Sequence, residues 1–156
     1  MSILVYTESW NGKFRKSTYE AVSYASETAK LLNTDVVALA FGDENEDELL
    51  TLGKYGAQKV LTTNGIEKGD SKAAANLFAA NCTNASMIIF AGTYTSKMIA
   101  PRLAAKLKVG IVSNVISLPY STSPIKIKRK AFSSKALENT TINTELGIII
   151  LSPNAF

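Results

Sequence analysis

Histidine is absent from this 156-residue sequence, and cysteine occurs once, at Cys82. The first absence removes the commonest general base and neutral metal ligand, so a hydrolytic triad built on histidine is excluded. The second excludes an internal disulfide framework, and the two together exclude zinc sites of the Cys/His type. Four prolines and nine glycines are too few for a collagen-like or low-complexity chain. No apolar run approaches the ~18–20 residues of a membrane span. Met1 to Trp10 also lacks the basic start and long apolar stretch of a secretion signal, so a cytoplasmic location is expected.

What is present is an apolar content of 46%, enough for one globular domain with a real core. The net charge of +4 conceals a division. Residues 1–78 carry eight Lys/Arg against eleven Asp/Glu (−3), and residues 79–156 carry nine against two (+7). A basic half of this size fits an acidic partner, a phosphate or nucleic acid, and equally an ordinary solvated surface. Because aromatic interleaving is missing from the basic segment apart from Phe132, no nucleic-acid partner is expected.

Apolar periodicity along the chain alternates between strand and helix. Ile3 to Tyr6 reads as a buried strand, and Ser17-Thr18-Tyr19-Glu20 has the form of a capping box before a helix that Asn33 should end. Val36 to Phe41 is a second strand. The acidic run Asp43 to Glu48 then suits a helix N-terminus, with Gly53 and Gly56 at that helix's end. Lys59 to Thr62 is a third strand, and Asp70 or Ser71 caps a helix ending near Cys82, read as a buried, inert thiol. Met87 to Ala91 is a fourth strand, Lys97 to Leu107 a helix with Pro101 early in it, and Ile111 to Leu118 a fifth strand. The expected fold class is therefore α/β, a doubly wound, mostly parallel sheet of order 3-2-1-4-5. Residues 125–130, 135–144 and 146–151 add an antiparallel C-terminal extension in this reading, with no helix beyond Leu107.

That order puts the topological switch between the first and fourth strands, so a nucleotide crevice would be built from Thr7, Gly92, Thr93 and Ser96. The usual phosphate loops are missing: neither G-x-G-x-x-G nor G-x-x-x-x-G-K-[ST] occurs, and Ile66 breaks a G-x-x-G-x9-G-[ST] pattern begun by Gly53 and Gly56. A phosphate could still rest on the amides of Thr93 to Ser96 at a helix start. Glu8 lies near the same crevice, but a lone carboxylate without a paired acid is a weak basis for catalysis. Lys126, Lys128 and Lys130 alternate with apolar residues, as on a solvated edge strand defended against aggregation. Arg129 falls on the opposite side, and Arg102 on the preceding helix is a further cation suited to a phosphate, a partner carboxylate or an interhelical ion pair.

Several segments together resemble the N-terminal domain of the electron transfer flavoprotein alpha subunit. They are Ile3 to Glu8, Gly92-Thr93 with Lys97 to Ala105, and Ile111-Val112-Ser113-Asn114-Val115-Ile116. Arg129 to Leu137 is similar to the family's Arg-Pro-x-Tyr-x-Gly-x-Ala-Leu element, and Pro153 to Phe156 to the segment that leaves the domain. Lys130 stands where the family has Pro, and Ser134 where it has Gly. The resemblance implies that residues 1–156 form a single scaffold and subunit-interface domain, with the family's FAD-binding domain not among them. It implies FAD in the complete heterodimer, with none held tightly by this chain alone. The implied partners are the beta subunit, the FAD-binding alpha domain and, through the complex, dehydrogenase electron donors. The interface would use Arg102, Lys128, Arg129 and Lys130, and isolated copies could self-associate. The chain would be a carrier component rather than an enzyme, since the redox chemistry belongs to the flavin. An adenine-nucleotide-binding module at Thr7, Gly92, Thr93 and Ser96 is the alternative.

Overall fold

The computed structural model describes all residues, Met1–Phe156. The chain opens with β1 (Ser2–Tyr6) and a small hairpin of β2 (Ser9–Trp10) and β3 (Lys13–Phe14). It continues through α1 (Lys16–Leu32), β4 (Asp35–Ala40), α2 (Glu46–Lys54), β5 (Lys59–Thr62), α3 (Ser71–Asn81), β6 (Ala85–Phe90), α4 (Tyr94–Leu107) and β7 (Gly110–Val115). The remainder is all strand: β8 (Ser121–Thr122), β9 (Ile125–Ala131), β10 (Ala136–Ile142) and β11 (Gly147–Leu151).

These strands form one sheet in the order β5-β4-β1-β6-β11-β7-β9-β10, with β8 on β9. The five expected strands keep their relative order, and the sheet is mostly parallel with antiparallel strands at one end. One placement differs from expectation. β11 does not join the antiparallel end but enters between β6 and β7, parallel to both. Its composition gives the reason: all five residues, Gly-Ile-Ile-Ile-Leu, are buried, and an unbroken apolar run is at home in a central parallel strand covered on both faces. The crossover from β7 to β11 is made by β8, β9 and β10 instead of a helix. Ile125, Ile127 and Ile142 from that excursion join the core layer under α1.

Strand alternation splits the core into two layers. Ile3, Val5, Met87, Ile89 and Ile149 face α1 and the β9–β10 hairpin. Leu4, Tyr6, Ile88, Phe90, Ile148 and Ile150 face α3 and α4.

The helix ends depart from the capping expectations at two places. α1 is capped by Arg15 with no side-chain bond, not by Ser17. Thr18 is spent elsewhere, its hydroxyl donating to the Glu8 carbonyl at 2.6 Å and tying α1 to the chain after β1. α4 starts at Tyr94, three residues earlier than expected, because the Thr93 hydroxyl accepts the Ser96 amide hydrogen. Pro101 therefore sits at the eighth helical position. Asn33, by contrast, ends α1 in the left-handed conformation at φ 50°.

The acidic run before α2 does more than complement the helix dipole. Asn45 caps the helix, while Glu48 folds back, only 8% exposed, and accepts the Phe14 amide hydrogen at 2.7 Å. Lys13 adds a donor at 3.4 Å, so one carboxylate fastens the β2–β3 hairpin to α2. Glu48→Ala should cost about 1–2 kcal/mol in urea unfolding, because the buried Phe14 amide loses its acceptor, while Glu48→Gln should recover most of it.

At the β9–β10 turn, Phe132, Ser133 and Ser134 all have positive φ, at 54°, 53° and 65°. Serine holds two of these three left-handed positions, at a conformational cost that glycine would not incur. Ser134→Gly should raise the unfolding free energy by up to ~1 kcal/mol, read from the urea midpoint.

Candidate functional site

Strands of a parallel sheet present their C-terminal ends, with the loops that follow, as the usual ligand edge. Two concavities occupy that edge, and they divide the expected crevice residues between them. The larger, about 500 Å³, lies at the ends of β1 and β4 and is lined by Tyr6, Thr7, Trp10, Phe41, Glu44 and Lys68 among others. The smaller, about 320 Å³, lies where α1 and α4 begin beside the end of β11, with Arg15, Lys16, Gly92, Thr93 and Asn154 on its walls.

Of the four expected crevice residues, Thr7 borders the first concavity, Gly92 and Thr93 border the second, and Ser96 borders neither. Three spend their polar groups internally. The Thr7 hydroxyl donates to the Leu39 carbonyl at 2.9 Å, joining β1 to β4. Thr93 Oγ1 accepts from the Ser96 amide at 3.2 Å and lies 3.0 Å from Ser96 Oγ, and Ser96 is fully buried. Gly92 is held by close approach: a Cβ there would collide with the Leu151 carbonyl and lie 2.8 Å from Pro153 Cδ.

Three acidic residues, Asp43, Glu44 and Glu67, line the larger concavity, and Glu8 is not on its wall. Glu8 is 3% exposed, with Oε1 3.8 Å from Lys68 Nζ and Oε2 without a hydrogen-bond partner. Glu44 Oε1 is likewise buried and unpartnered. The Tyr6 hydroxyl is held well above the ordinary phenol range, first by burial and then by the Glu8 and Glu44 charges. Lys68 covers the mouth, its ammonium 3.0 Å from the centroid of the Trp10 ring and donating to the Ser9 carbonyl at 3.1 Å. Burial pulls its pKa down, partly opposed by Glu8. Sequence reasoning missed Trp10, Glu44 and Lys68. The signal available was the Asp43-Glu44 pair directly following the second strand.

The expected interface residues lie on the opposite flank. Arg102 is exposed on α4 and Lys128 on β9, while Lys130 is half-buried. Arg129 is engaged within the domain, its Nε donating to the Ser113 carbonyl at 3.0 Å and Nη1 to Glu138 at 3.3 Å. β10 is the sheet's edge, with Leu137 and the neighbouring Phe132 largely exposed.

The family model described as "Electron transfer flavoprotein domain" matches residues 3–156. This chain belongs to the electron transfer flavoprotein family. Electron transfer flavoprotein subunit alpha of Bacillus subtilis is 24% identical over 97% of this chain and 47% of its own length. The alpha subunit of Syntrophomonas wolfei is 28% identical over 90% of this chain and 44% of its own. Lactate dehydrogenase (NAD(+),ferredoxin) subunit LctC of Acetobacterium woodii is 28% identical over 86% and 34% respectively. The chain thus spans about half the length, or less, of these relatives. The alpha-subunit names of the first two agree with the resemblance carried by the Pro101-Arg102-Leu103-Ala104-Ala105 helix and the Ser113-Asn114-Val115-Ile116 segment, and the chain is the N-terminal domain of such a subunit.

A flavin is the cofactor this family implies, and the residues here do not fit one. The pyrophosphate of FAD needs clustered donors, whereas the larger concavity sets Asp43, Glu44 and Glu67 against the single cation Lys68. The smaller one has Arg15 and Lys16, but at about 320 Å³ it lies at the small end of ligand pockets. No helix of the structure is long and apolar enough to cross a membrane.

Proposed function

We propose that this electron transfer flavoprotein domain is a scaffold and subunit-interface element of a flavin-dependent electron carrier. The family match across residues 3–156 carries the reading. The acidic concavity supports placing FAD on a flavin domain and the beta subunit's side of the assembly, not within this fold. In this reading the chain's own side chains make and break no bonds. They set the distance and orientation at which a mobile flavin domain meets its electron donors, dehydrogenases in the cytoplasm.

The docking flank in this proposal is the β9–β10 hairpin with α4. β10 ends the sheet and pairs with β9 on one side, so its outer backbone edge is open while its Ile142 side chain stays in the core. Lys128, Lys130 and Arg102 give it a positive field suited to an acidic partner surface. Arg129 would act by bracing the hairpin against Ser113 and Glu138. The same edge would let isolated copies self-associate. Mixing the purified chain with the cognate beta subunit and flavin domain should give a stable complex on gel filtration at micromolar concentration. Elution of the three as separate species would overturn the proposal.

A second reading, an adenine-nucleotide module, draws on the smaller concavity. There Arg15 and Lys16 stand at the uncapped start of α1, opposite Gly92 and Thr93, with Ser96 behind and Thr7 one strand away. Calorimetry with AMP and ATP distinguishes the two, because the scaffold reading expects no heat of binding at millimolar nucleotide.

A further inference from the structure

Two helices begin on the smaller concavity, α1 with Lys16 and Ser17 and α4 with Tyr94. The first amides of a helix have no carbonyl of their own to bond, and the helix dipole makes that end positive. In α1 the Thr18 and Tyr19 amides both turn back to the Arg15 carbonyl, and no side chain caps the Lys16 and Ser17 amides before them. In α4 the Thr93 hydroxyl takes the Ser96 amide hydrogen and leaves that of Tyr94.

Ser152 adds an independent mark. It follows β11 directly and is only 6% exposed, yet it lines this concavity. Its amide donates to the Val115 carbonyl at 2.8 Å. Its hydroxyl bonds nothing in the chain, and it is not one of the fully enclosed unpartnered oxygens, which belong to Glu8 and Glu44. The hydroxyl therefore opens into the concavity, where a buried donor without an acceptor is costly unless something occupies the place. Gly92 draws the turn before α4 onto the same wall, since a Cβ there would collide with the Leu151 carbonyl.

Charge on the wall decides what enters. Arg15 makes no ion pair, whereas Lys16 is tied to Glu20 at 3.6 Å, and all three residues line the concavity. Two cations against one carboxylate leave a single net positive charge. A carboxylate matches that balance, because it carries one charge and accepts from several N–H and O–H donors at once. A phosphate dianion would set its second charge against Glu20 without compensation. The geometry points to a carboxylate-binding site where α1 and α4 begin, with the Ser152 hydroxyl and the Ser17 and Tyr94 amides as donors and Arg15 as the neighbouring charge. A volume of about 320 Å³ restricts it to a compact acid or one acidic side chain. The assignment does not rest on the electron-carrier reading.

Amide chemical shifts of the isotope-labelled full chain test it, with sodium acetate replacing sodium chloride at constant ionic strength. The Ser17 and Tyr94 amide signals should move saturably with a millimolar midpoint. Ser152→Ala should weaken acetate about tenfold, the loss of one charge-assisted hydrogen bond. Its urea midpoint should equal the parent's, because the hydroxyl holds nothing internal together. Glu20→Gln should tighten acetate at least about threefold, since a like charge leaves the wall and Lys16 is released. That variant decides the matter if Ser152→Ala fails to give a native circular dichroism spectrum. A capped glutamate peptide separates the two sources of the group: tighter binding than acetate identifies an acidic side chain of a partner protein, and equal binding a free small acid. Absence of saturation with acetate, phosphate binding as tightly as acetate, unchanged affinity in Ser152→Ala, or no tightening in Glu20→Gln would each overturn the assignment.

Discussion

Phe78→Ala should destabilise the domain by about 3–5 kcal/mol, the largest effect of any truncation in the α3–α4 layer. Phe78 is fully buried on α3, and three aromatic rings surround it: Phe90 at 5.2 Å, Tyr6 at 5.8 Å edge-on and Phe41 at 6.5 Å. The other buried residues of α3 are Ala74 and Ala75, so this one ring supplies most of the apolar anchorage of the helix. The rings on β1 and β6 cannot close the hole without leaving their strands, which places the cost above a simple transfer term. Leu77, one position earlier and only half-buried, provides the control, and its alanine variant should lose far less. Urea unfolding followed by circular dichroism measures both. Equal losses for the two would mean that α3 slides inward to fill the gap. Because Tyr6 and Phe41 also wall the β1–β4 concavity, Phe78→Ala should broaden Trp10 emission even where the protein stays folded.

Much of this architecture was legible because burial on both faces leaves a plain mark. Ile3 to Tyr6, Val36 to Phe41 and Met87 to Ala91 are unbroken apolar runs, and all three are central parallel strands. The same mark was present at Ile148 to Leu151, yet antiparallel pairing was expected there. The expectation followed from the missing helix after Leu107, since a parallel crossover ordinarily needs one. A β hairpin carrying Ile125, Ile127 and Ile142 does that covering work instead, and nothing local in its sequence announces the substitution. The β2–β3 hairpin was hidden for a different reason. Its turn, Asn11-Gly12, has φ of 50° and 75° and so the expected twist, but two-residue strands leave no alternation to read.

The functional edge was harder. Thr7, Thr93 and Ser96 are the residue types that contact phosphates, and they are equally the types that close caps and join strands. Here they do the latter. Lys68 meets Glu8 and Trp10 across more than fifty residues of chain, a juxtaposition that only the packing of the α3-preceding loop against the β2–β3 hairpin creates. Ser134, where the resemblance implied a glycine, has a left-handed backbone at φ 65°, a conformation that serine does not announce in sequence.

Gly92→Ala should cost about 2–3 kcal/mol, the upper part of the range for overpacking, because the obstacle is backbone. Gly92 follows β6 at the turn into α4, where the end of β11 passes alongside. An added Cβ meets the Leu151 carbonyl and, at 2.8 Å and 3.0 Å, the Pro153 ring, none of which can rotate away as a flexible side chain would. Relief requires the end of β11 to move off β6, beyond the Ile150–Phe90 pairing. That shift would carry the segment after Leu151 with it, including Phe156, whose ring packs edge-on against Tyr24 at 4.7 Å. Thermal unfolding should therefore fall by roughly 4–12 °C, at about 2–4 °C per kcal/mol for a domain of this size. The variant also separates structure from ligand at the smaller concavity. If Gly92 is required only for close approach, the loss appears without any nucleotide present, and adding AMP leaves the melting temperature of both proteins where it was. A Gly92→Ala protein as stable as its parent would show instead that β11 yields easily, and that the closeness of Leu151 to this turn does not hold the C-terminal segment in place.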